Sequence, residues 1–239
     1  MSEPKICIIV PAFNEEVSIA KVITSLKAHN SRYVVVVIND ASKDKTQAVA
    51  ESTGFARVIT LPCNLGIGGG VQTGFLFAKR NNCDIAIQFD GDGQHVAEEI
   101  TKLTTPIING EADVVIGSRF VGSNTETFKS TALRRIGIKF FQWLNSILIK
   151  QKITDNTSGF RSYSREALEL LAEQYPVDYP EPEAVILLGK NGFRIKEVFT
   201  RMEARDGGES SIGGIKSAYY MIKVTLSILI TAIRPPIER

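Results

Sequence analysis

Short, continuously apolar runs alternate with longer amphipathic stretches through the first half of the sequence. The runs include KICIIV at residues 5–10, YVVVVI at 33–38 and DIAIQF at 84–89. Strands that are apolar on both faces are buried on both faces, as in parallel sheets covered by helices. The alternation therefore predicts an α/β fold, with a mostly parallel central sheet and helices on both faces.

The second half of the sequence is less regular, but nothing in it marks a separate domain. An apolar helix is predicted over 131–149, then the polar loop TDNTSGFRSYS at 154–164, and then a helix, a strand and a final helix. The 239 residues are 44% hydrophobic and contain no internal repeat or low-complexity linker. Such a chain can form one sizeable core. We expect a main domain over 1–211 and a C-terminal amphipathic helix and tail over 212–239.

Overall charge and cysteine content limit the classes of partner and the compartment. The net charge of +2, from 28 basic and 26 acidic residues, provides no field for binding nucleic acid. Cys7, Cys63 and Cys83 follow no metal-ligand spacing, which predicts buried free thiols in a reducing compartment. The opening residues also lack the basic segment and long apolar core of a secretion signal. A cytoplasmic site is expected.

Two aspartates follow the fourth predicted strand in the motif DGDGQH, residues 90–95. Glycines after Asp90 and Asp92 can bend the chain so that both carboxylates reach one side. Two carboxylates and the side-chain oxygen of Gln94 are the hard ligands that Mg²⁺ or Mn²⁺ prefers. The alternative is a polar turn that closes a buried strand, because Asp and Gly are favoured in any turn. His95 is expected to be only a neighbour of this group.

Polar residues also follow the first two predicted strands. Ligands of parallel sheets bind beyond the carboxyl ends of the strands, so a site is expected at these positions. In PAFNEE, Pro11 fixes the exit of the strand and Glu15 offers a polar group to a base or a ribose. In NDASKDKT, Asp40 can cap a helix or accept a hydrogen bond from a nucleobase. Both motifs suit a nucleoside ligand.

Three further features could contact an anion. The stretch CNLGIGGGVQTG, which includes Gly68, lies where a strand gives way to a helix, so its backbone N–H groups could approach a phosphate or a sugar. Arg119 ends another predicted strand and could clamp a phosphate or form a surface salt bridge. Arg205 lies in the loop RDGGESS, whose glycines would permit closure over an anionic ligand.

Two apolar stretches have basic flanks. The segment 127–154 contains six Lys or Arg, no Asp or Glu, and the only tryptophan. The run VTLSILITAI at 224–233 is too short to span a bilayer, which requires about 20 residues. Each could be an ordinary core helix. Together they favour a membrane-facing surface, because basic flanks with Trp and Phe are typical of helices that lie on anionic lipid.

In order along the chain, these motifs resemble those of the inverting GT-A glycosyltransferases of family 2. Within the family they are most similar to the polyprenyl-phosphate glycosyltransferases of the dolichyl-phosphate mannose synthase type. The blocks that carry the resemblance are PAFNEE, NDASKDKT, NLGIGGGVQTG, DGDGQH, DVVIGSRF, DNTSGFR, PEPEAVILL and RDGGESS. They run from about residue 5 to 211, and their order makes the resemblance far more specific than any single block. It implies a single Rossmann-like GT-A domain.

The resemblance also implies roles for individual residues. The nucleotide of the donor would be held by Pro11, Phe13, Glu15 and Asp40, and Asp90 would also contact the donor. Mg²⁺ or Mn²⁺ would be bound by Asp92 and Gln94, and Arg205 would close over the diphosphate. An acceptor phosphate would be received by Arg119 and by one of Arg134 or Arg135. Asn39 stands where the family usually has an aspartate. The glycine run containing Gly68 is expected to lie against the donor.

The implied reaction transfers a sugar, with inversion, from a nucleotide sugar to a polyprenyl phosphate. UDP is the expected nucleotide. An anionic lipid phosphate needs no strong general base, whereas a hydroxyl acceptor would need a carboxylate such as Asp155, Glu181 or Glu183. One alternative is therefore a transferase, such as a rhamnosyltransferase, that acts on a hydroxyl of a growing glycan. A second is a non-catalytic scaffold that binds sugar nucleotides.

The expected location is the inner face of the cell membrane, with the protein associated peripherally. The expected partners are a nucleotide sugar, a polyprenyl phosphate and the membrane surface. A small membrane protein or a second copy of the chain is a further expected partner.

Overall fold

The computed structural model describes residues 3–121, 143–151, 153–203 and 215–235. Within them, seven strands form one sheet in the order β3-β2-β1-β4-β6-β5-β7. The strands are β1 (Ile6–Ala12), β2 (Val34–Asn39), β3 (Arg57–Thr60), β4 (Ile85–Gln88), β5 (Val114–Ser118), β6 (Arg161–Ser164) and β7 (Ile195–Phe199). All neighbouring pairs are parallel except those of β6, which runs antiparallel to β4 and β5. The predicted mostly parallel sheet is confirmed.

The prediction of a polar loop over 154–164 is wrong for its last residues. Arg161–Ser164 form β6 between β4 and β5, and all four residues are buried. Their polar sequence hides the strand from a hydrophobicity argument, because buried strands are usually recognised by continuous apolar runs. Because β6 is antiparallel, the loop that precedes it reaches the same edge of the sheet as the carboxyl ends of the other strands.

The helices cover both faces of the sheet, as expected. They are α1 (Ile19–His29), α2 (Thr46–Ser52), α3 (Gly66–Arg80), α4 (Ile100–Ile108), α5 (residues 143–149), α6 (Arg165–Gln174), α7 (Pro180–Lys190) and α8 (Ile215–Ile233). Alternate residues of β1 enter different core clusters. One cluster joins the sheet to α3, α6 and α7, and the other joins it to α1, α2 and α4. The period of two in β1 thus divides the core.

A smaller cluster connects α5, α7 and α8. Val224 and Ile228 of α8 are buried there beside Leu144 of α5 and Val185 of α7. Among the described residues, no helix combines the length and apolar character needed to cross a membrane. The predicted segment 127–154 lies mostly outside the described residues.

The cysteines follow the prediction in two cases out of three. Cys7 and Cys83 are buried free thiols, whereas Cys63 is an exposed free thiol. The expectation of a buried thiol is wrong for Cys63 because this residue lies in the loop after β3, outside the apolar runs.

Candidate active site

A cleft of about 370 Å³ opens at the edge of the sheet where β1, β2 and β4 end. Six of the residues predicted from the sequence line it: Pro11, Phe13, Glu15, Asp40, Asp90 and Asp92. Gly66, Ile67 and Gly70 from the start of α3 complete one wall. The carboxyl ends of these strands therefore form one concave site, as the fold class predicts.

The turn that carries the two aspartates is held closely against β1. The amide of Gly91 donates to the Pro11 carbonyl over 3.3 Å, and a Cβ at Gly91 would lie only 3.0 Å from that oxygen. Gly93 has φ of +78°, which favours glycine. Asp92 is 5% exposed, and its Oδ1 accepts from the Gln94 amide over 3.0 Å. The bend brings both carboxylates into the lining of one cleft.

Two residues enclose the carboxylate of Asp90. His95 Nε2 lies 3.2 Å from Asp90 Oδ2, and the His95 side chain is only 5% exposed. A Cβ at Gly159 would lie 2.7 Å from Oδ2 and 2.9 Å from Oδ1. The interpretation of His95 as only a neighbour missed this hydrogen bond. Gly159 was not singled out at all, because a close approach to Asp90 is visible only in three dimensions.

Asp40 anchors the start of α3 and also lines the cleft. Its Oδ1 accepts from the Leu65 amide over 2.7 Å, and its Oδ2 accepts from the Gly66 amide over 2.9 Å. A carboxylate at a helix N-terminus is favoured by the helix dipole. The capping interpretation of Asp40 is thus confirmed. Its role toward a nucleobase stays a prediction.

The PAFNEE turn is fixed to its neighbours by hydrogen bonds. The Glu15 amide donates to Thr46 Oγ1 over 2.8 Å, and the Glu15 carboxylate accepts from the Ser18 hydroxyl over 3.0 Å. That hydroxyl also lies 2.7 Å from the Gly91 carbonyl. Phe13 remains 44% exposed at the cleft. A rigid turn thus presents an aromatic face on which a planar base could stack.

Gly68 has a packing role that the sequence did not reveal. It is a buried residue of α3, and a Cβ there would clash with the backbone of Pro176 and Val177. A Cβ at Gly70 would meet only ordinary contacts, the nearest at 3.8 Å. Of the two, only Gly70 lines the cleft. The predicted contact of Gly68 with a donor stays a prediction.

Arg119 is held rigidly by Asp155. Its Nε and one terminal nitrogen each donate to an Asp155 carboxylate oxygen over 2.9 Å. Asp155 is 1% exposed, and its amide donates to Glu197 Oε1 over 2.7 Å. Arg119 therefore forms a salt bridge, and because the bridge is partly buried it fixes the guanidinium at the end of β5. Its role as a phosphate clamp stays a prediction. Arg119 follows β5 and the aspartate turn follows β4, and β6 is the one strand between them. Two strand spacings therefore separate Arg119 from the aspartate turn by about 10 Å.

The three predicted carboxylate bases have different surroundings. Asp155 is committed to the ion pair with Arg119. Glu183 accepts from the Tyr179 amide over 3.2 Å at the start of α7, and its other oxygen accepts from Thr231 over 3.4 Å. Burial raises the pKa of Glu181, and repulsion from Asp90 adds to this while Arg161 opposes it. The repulsion from Asp90 shows that the Glu181 carboxyl interacts with the aspartate turn.

Arg161 is a buried residue of the site that sequence reasoning passed over. It is 0% exposed and donates to the backbone carbonyls of Asn156, Ser158 and Glu181 over 2.7 to 2.8 Å. The guanidinium thereby ties the loop before β6 to the first turn of α7. A lone arginine in a polar stretch gives no sequence signal for this role, since most arginines are exposed.

The carboxylates fit a hard divalent cation that keeps several ligand positions open. The described residues contain no group of three or more His, Cys, Asp or Glu that could enclose a metal. Asp90 and Asp92 nevertheless bring two carboxylates to one cleft. Mg²⁺ and Mn²⁺ accept few carboxylates together with phosphate oxygens and water. The donor set is therefore compatible with a metal bound jointly by the protein and a diphosphate.

Arg134, Arg135 and Arg205 lie outside the described residues. Their expected roles, in binding the acceptor phosphate and in closing over the diphosphate, stay predictions.

Comparisons with known proteins agree with this architecture. The chain is 34% identical over 217 residues to UDP-N-acetylglucosamine--dolichyl-phosphate N-acetylglucosaminyltransferase of Methanococcus voltae, covering 83% of this chain and 85% of the relative. It is 27% identical over 227 residues to polyprenol monophosphomannose synthase of Mycolicibacterium smegmatis, covering 91% and 84%.

A solved structure has the same fold. Glucosyl-3-phosphoglycerate synthase of Mycobacterium tuberculosis, crystallised with Mn²⁺, UDP and phosphoglyceric acid, matches with a TM-score of 0.74 at 21% identity, covering 97% of this chain and 80% of that one. The fold is GT-A, as expected from the motifs. The model of the family described as "Glycosyl transferase family 2" matches residues 7–171. With its ordered motifs, its sheet and this match, the chain belongs to glycosyltransferase family 2.

Proposed function

We propose that this glycosyltransferase moves a sugar, with inversion, from a UDP-sugar to a polyprenyl phosphate at the cytoplasmic face of the membrane. The observation that supports the proposal is the arrangement of charge at one edge of the sheet. Asp90 and Asp92 line the cleft, and Arg119 is fixed by Asp155 at the end of β5. The site thus offers separate positions for a metal-bound diphosphate and an anionic acceptor.

The donor is a UDP-sugar, and UDP-N-acetylglucosamine is the first one to test. Phe13 is exposed at the cleft and suited to stack on uracil, with Asp40 nearby. The name of the Methanococcus voltae relative includes UDP-N-acetylglucosamine and dolichyl phosphate. That relative supports both the donor and the class of acceptor proposed here.

Asp92 and Gln94 hold Mg²⁺ or Mn²⁺ beside the donor, and Asp90 contacts the donor. When bound, the metal supplies positive charge that neutralises the leaving diphosphate. GT-A structures with 21 to 22% identity to this chain were crystallised with Mn²⁺ or Mg²⁺ and UDP or UDP-glucose, which supports a divalent metal.

Arg119 orients the acceptor phosphate for attack on C1 of the sugar from the face opposite the diphosphate. Its guanidinium is suited to this because the bidentate pair with Asp155 fixes its plane. The phosphate oxygen is already anionic, so no side chain has to remove a proton. The intact Asp90, Asp92 and Gln94 argue against the alternative of a non-catalytic scaffold.

The experiment is transfer from UDP-N-acetylglucosamine with Mn²⁺ to undecaprenyl or dolichyl phosphate, compared with dolichol. Labelled glycolipid should form with the phosphates and not with the alcohol. Asp92→Asn should lower the rate by about 10² or more, because an anionic metal ligand becomes a neutral one. Equal transfer to dolichol, or no transfer to any lipid phosphate from a panel of nucleotide sugars, would refute the proposal.

A second candidate function is transfer to a glycan hydroxyl, with Glu181 as the base. It is favoured by the interaction of the Glu181 carboxyl with Asp90 and Gln88. Loss of a general base costs about 10² to 10⁴ in rate. Glu181→Gln should therefore be nearly silent with a lipid phosphate and severe with a hydroxyl acceptor, with Glu183→Gln as the matched control.

A further inference from the structure

His95 makes a buried contact with the cleft that neither the motif comparison nor the proposed function uses. Its Nε2 lies 3.2 Å from Asp90 Oδ2. The imidazole is stacked on Phe160, with ring centroids 4.7 Å apart and planes at 19°, and Phe89 meets it edge-on at 5.4 Å. Two aromatic rings therefore fix the plane of the imidazole next to a cleft carboxylate.

The surroundings of the second ring nitrogen indicate which nitrogen carries the proton. His95 Nδ1 is buried and has no hydrogen-bond partner among the residues that the structure describes. A buried N–H without an acceptor is costly, so the proton of a neutral imidazole belongs on Nε2. In this tautomer, the Nε2–H group donates to the carboxylate of Asp90.

The backbone of His95 is also restrained. It forms an antiparallel bridge with Met202, and the carbonyl of Gln94 accepts from the Glu203 amide over 2.9 Å. The ring contacts and the main-chain bonds thus both restrain His95. Because His95 is already ordered, it loses little conformational entropy when its Nε2–H group orients Asp90.

Gly159 also leaves the Asp90 carboxylate almost no room to move toward it. A Cβ at Gly159 would lie within 3 Å of both carboxylate oxygens. The carboxylate is therefore confined by a hydrogen-bond donor and by a bare Cα, and the Asp90 side chain, which lines the cleft, is 32% exposed.

We propose that His95 is a positioning residue for Asp90: its Nε2–H group and the bare Cα of Gly159 together aim the carboxylate at the sugar of the bound donor. This inference rests on the proposed function in one respect, namely that Asp90 contacts the sugar part of a nucleotide sugar. It assigns His95 no contact with the substrate and no proton transfer.

Two substitutions separate positioning from packing. His95→Phe keeps an aromatic ring between Phe89 and Phe160 but removes the donor. His95→Gln keeps an N–H donor at a similar distance from the main chain but removes the ring. If His95 positions Asp90, His95→Phe is the damaging change. If it only fills space, His95→Gln is the damaging change.

The first measurement is donor affinity by calorimetry with Mn²⁺ and without any lipid acceptor. His95→Phe should weaken UDP-N-acetylglucosamine about tenfold or more, because a hydrogen bond to a charged group is lost, while UDP alone binds as to wild type. His95→Gln should stay within about threefold of wild type for both ligands. Thermal unfolding of His95→Phe at or above the wild-type temperature would exclude a folding defect, since the substitution also removes the partnerless Nδ1.

The second measurement is turnover, in which kcat should fall about 10- to 100-fold for His95→Phe and much less for His95→Gln. The opposite order of the two variants, or wild-type behaviour of His95→Phe, would overturn the inference. A failure to transfer sugar to polyprenyl phosphate, with the binding differences intact, would refute the proposed acceptor and leave the inference standing. A wild-type protein that binds none of UDP-N-acetylglucosamine, UDP-glucose and GDP-mannose would overturn both.

Discussion

Glu181 and Glu183 stand two residues apart at the start of α7, yet their carboxyl groups have different partners. Glu183 closes the first turn of the helix by accepting from the Tyr179 amide. Glu181 interacts with the polar residues beneath the cleft, among them Gln88 and Arg161. At the scale of single residues, both glutamates were equally good candidates for a base when judged from the sequence. Only the orientation of α7 relative to β4 and β6 distinguishes them.

The raised pKa of Glu181 predicts a pH dependence of stability. Burial raises this pKa from its ordinary value of 4.5, so the folded protein holds the proton more tightly than the unfolded chain does. The associated stability is fully present below the unfolded pKa and is lost as the pH rises through the folded pKa. Glu181→Gln should remove this loss, so the variant gains stability relative to wild type as the pH rises above 4.5.

Urea unfolding at several pH values between 4 and 7 checks this, with each value held by an inert buffer. Glu183→Gln, which changes the neighbouring carboxyl, is the matched control and should lose about 1 kcal/mol from the weakened cap. An unchanged slope in Glu181→Gln would contradict the assignment.

At the scale of elements, the sequence predicts the positions of the strands well and their partners poorly. A run such as YVVVVI at 33–38 is a local signal, and its strand ends where a site residue was expected. The pair formed by Arg119 and Asp155 spans 36 residues and has no local pattern. The antiparallel strand β6, which lies between β4 and β5, also has polar, buried residues. The sequence therefore did not predict which strands and which distant residues pair in this mixed sheet.

The packing of the glycines at the start of α3 also could not be predicted from the sequence, and it leads to a testable difference between two of them. Gly68→Ala should destabilise the protein by about 1 to 3 kcal/mol, because its Cβ would meet the backbone of Val177, which cannot move aside cheaply. Gly70→Ala is the control. Its Cβ would have ordinary contacts, so the higher helix propensity of alanine should leave stability equal or raise it by about 0.5 to 1 kcal/mol.

Chemical denaturation of both variants measures these differences, and UDP binding by calorimetry accompanies it. Weakened UDP binding in Gly68→Ala with unchanged stability would instead identify Gly68 as a donor contact. That result would favour the interpretation made from the sequence over packing.

At the scale of the whole molecule, two helices expose apolar stripes although their other faces are buried. Leu226, Leu229, Ile230 and Ile233 follow the spacing i, i+3, i+4, i+7 on α8 and are 40 to 83% exposed. Trp143 and Ile147, one turn apart on α5, are 60% and 56% exposed. Both helices pack in the same cluster with α7. An acceptor with a polyprenyl chain would be held in a bilayer, so these stripes are suited to meet its surface.

Membrane docking through α8 predicts a specific loss of vesicle binding. In Leu229→Glu/Ile230→Glu, two side chains that would otherwise be buried among acyl chains become charged. Partitioning onto vesicles of phosphatidylcholine and phosphatidylglycerol should fall at least roughly tenfold, since each such side chain contributes about 1.5 to 3 kcal/mol on burial.

Phe55→Glu is the matched control: Phe55 is 53% exposed but precedes β3 at the opposite edge of the sheet. Co-sedimentation measures the binding, and UDP affinity should be unchanged in both variants. Wild-type sedimentation of the double variant, or an equal loss in Phe55→Glu, would show that α8 is not the docking surface.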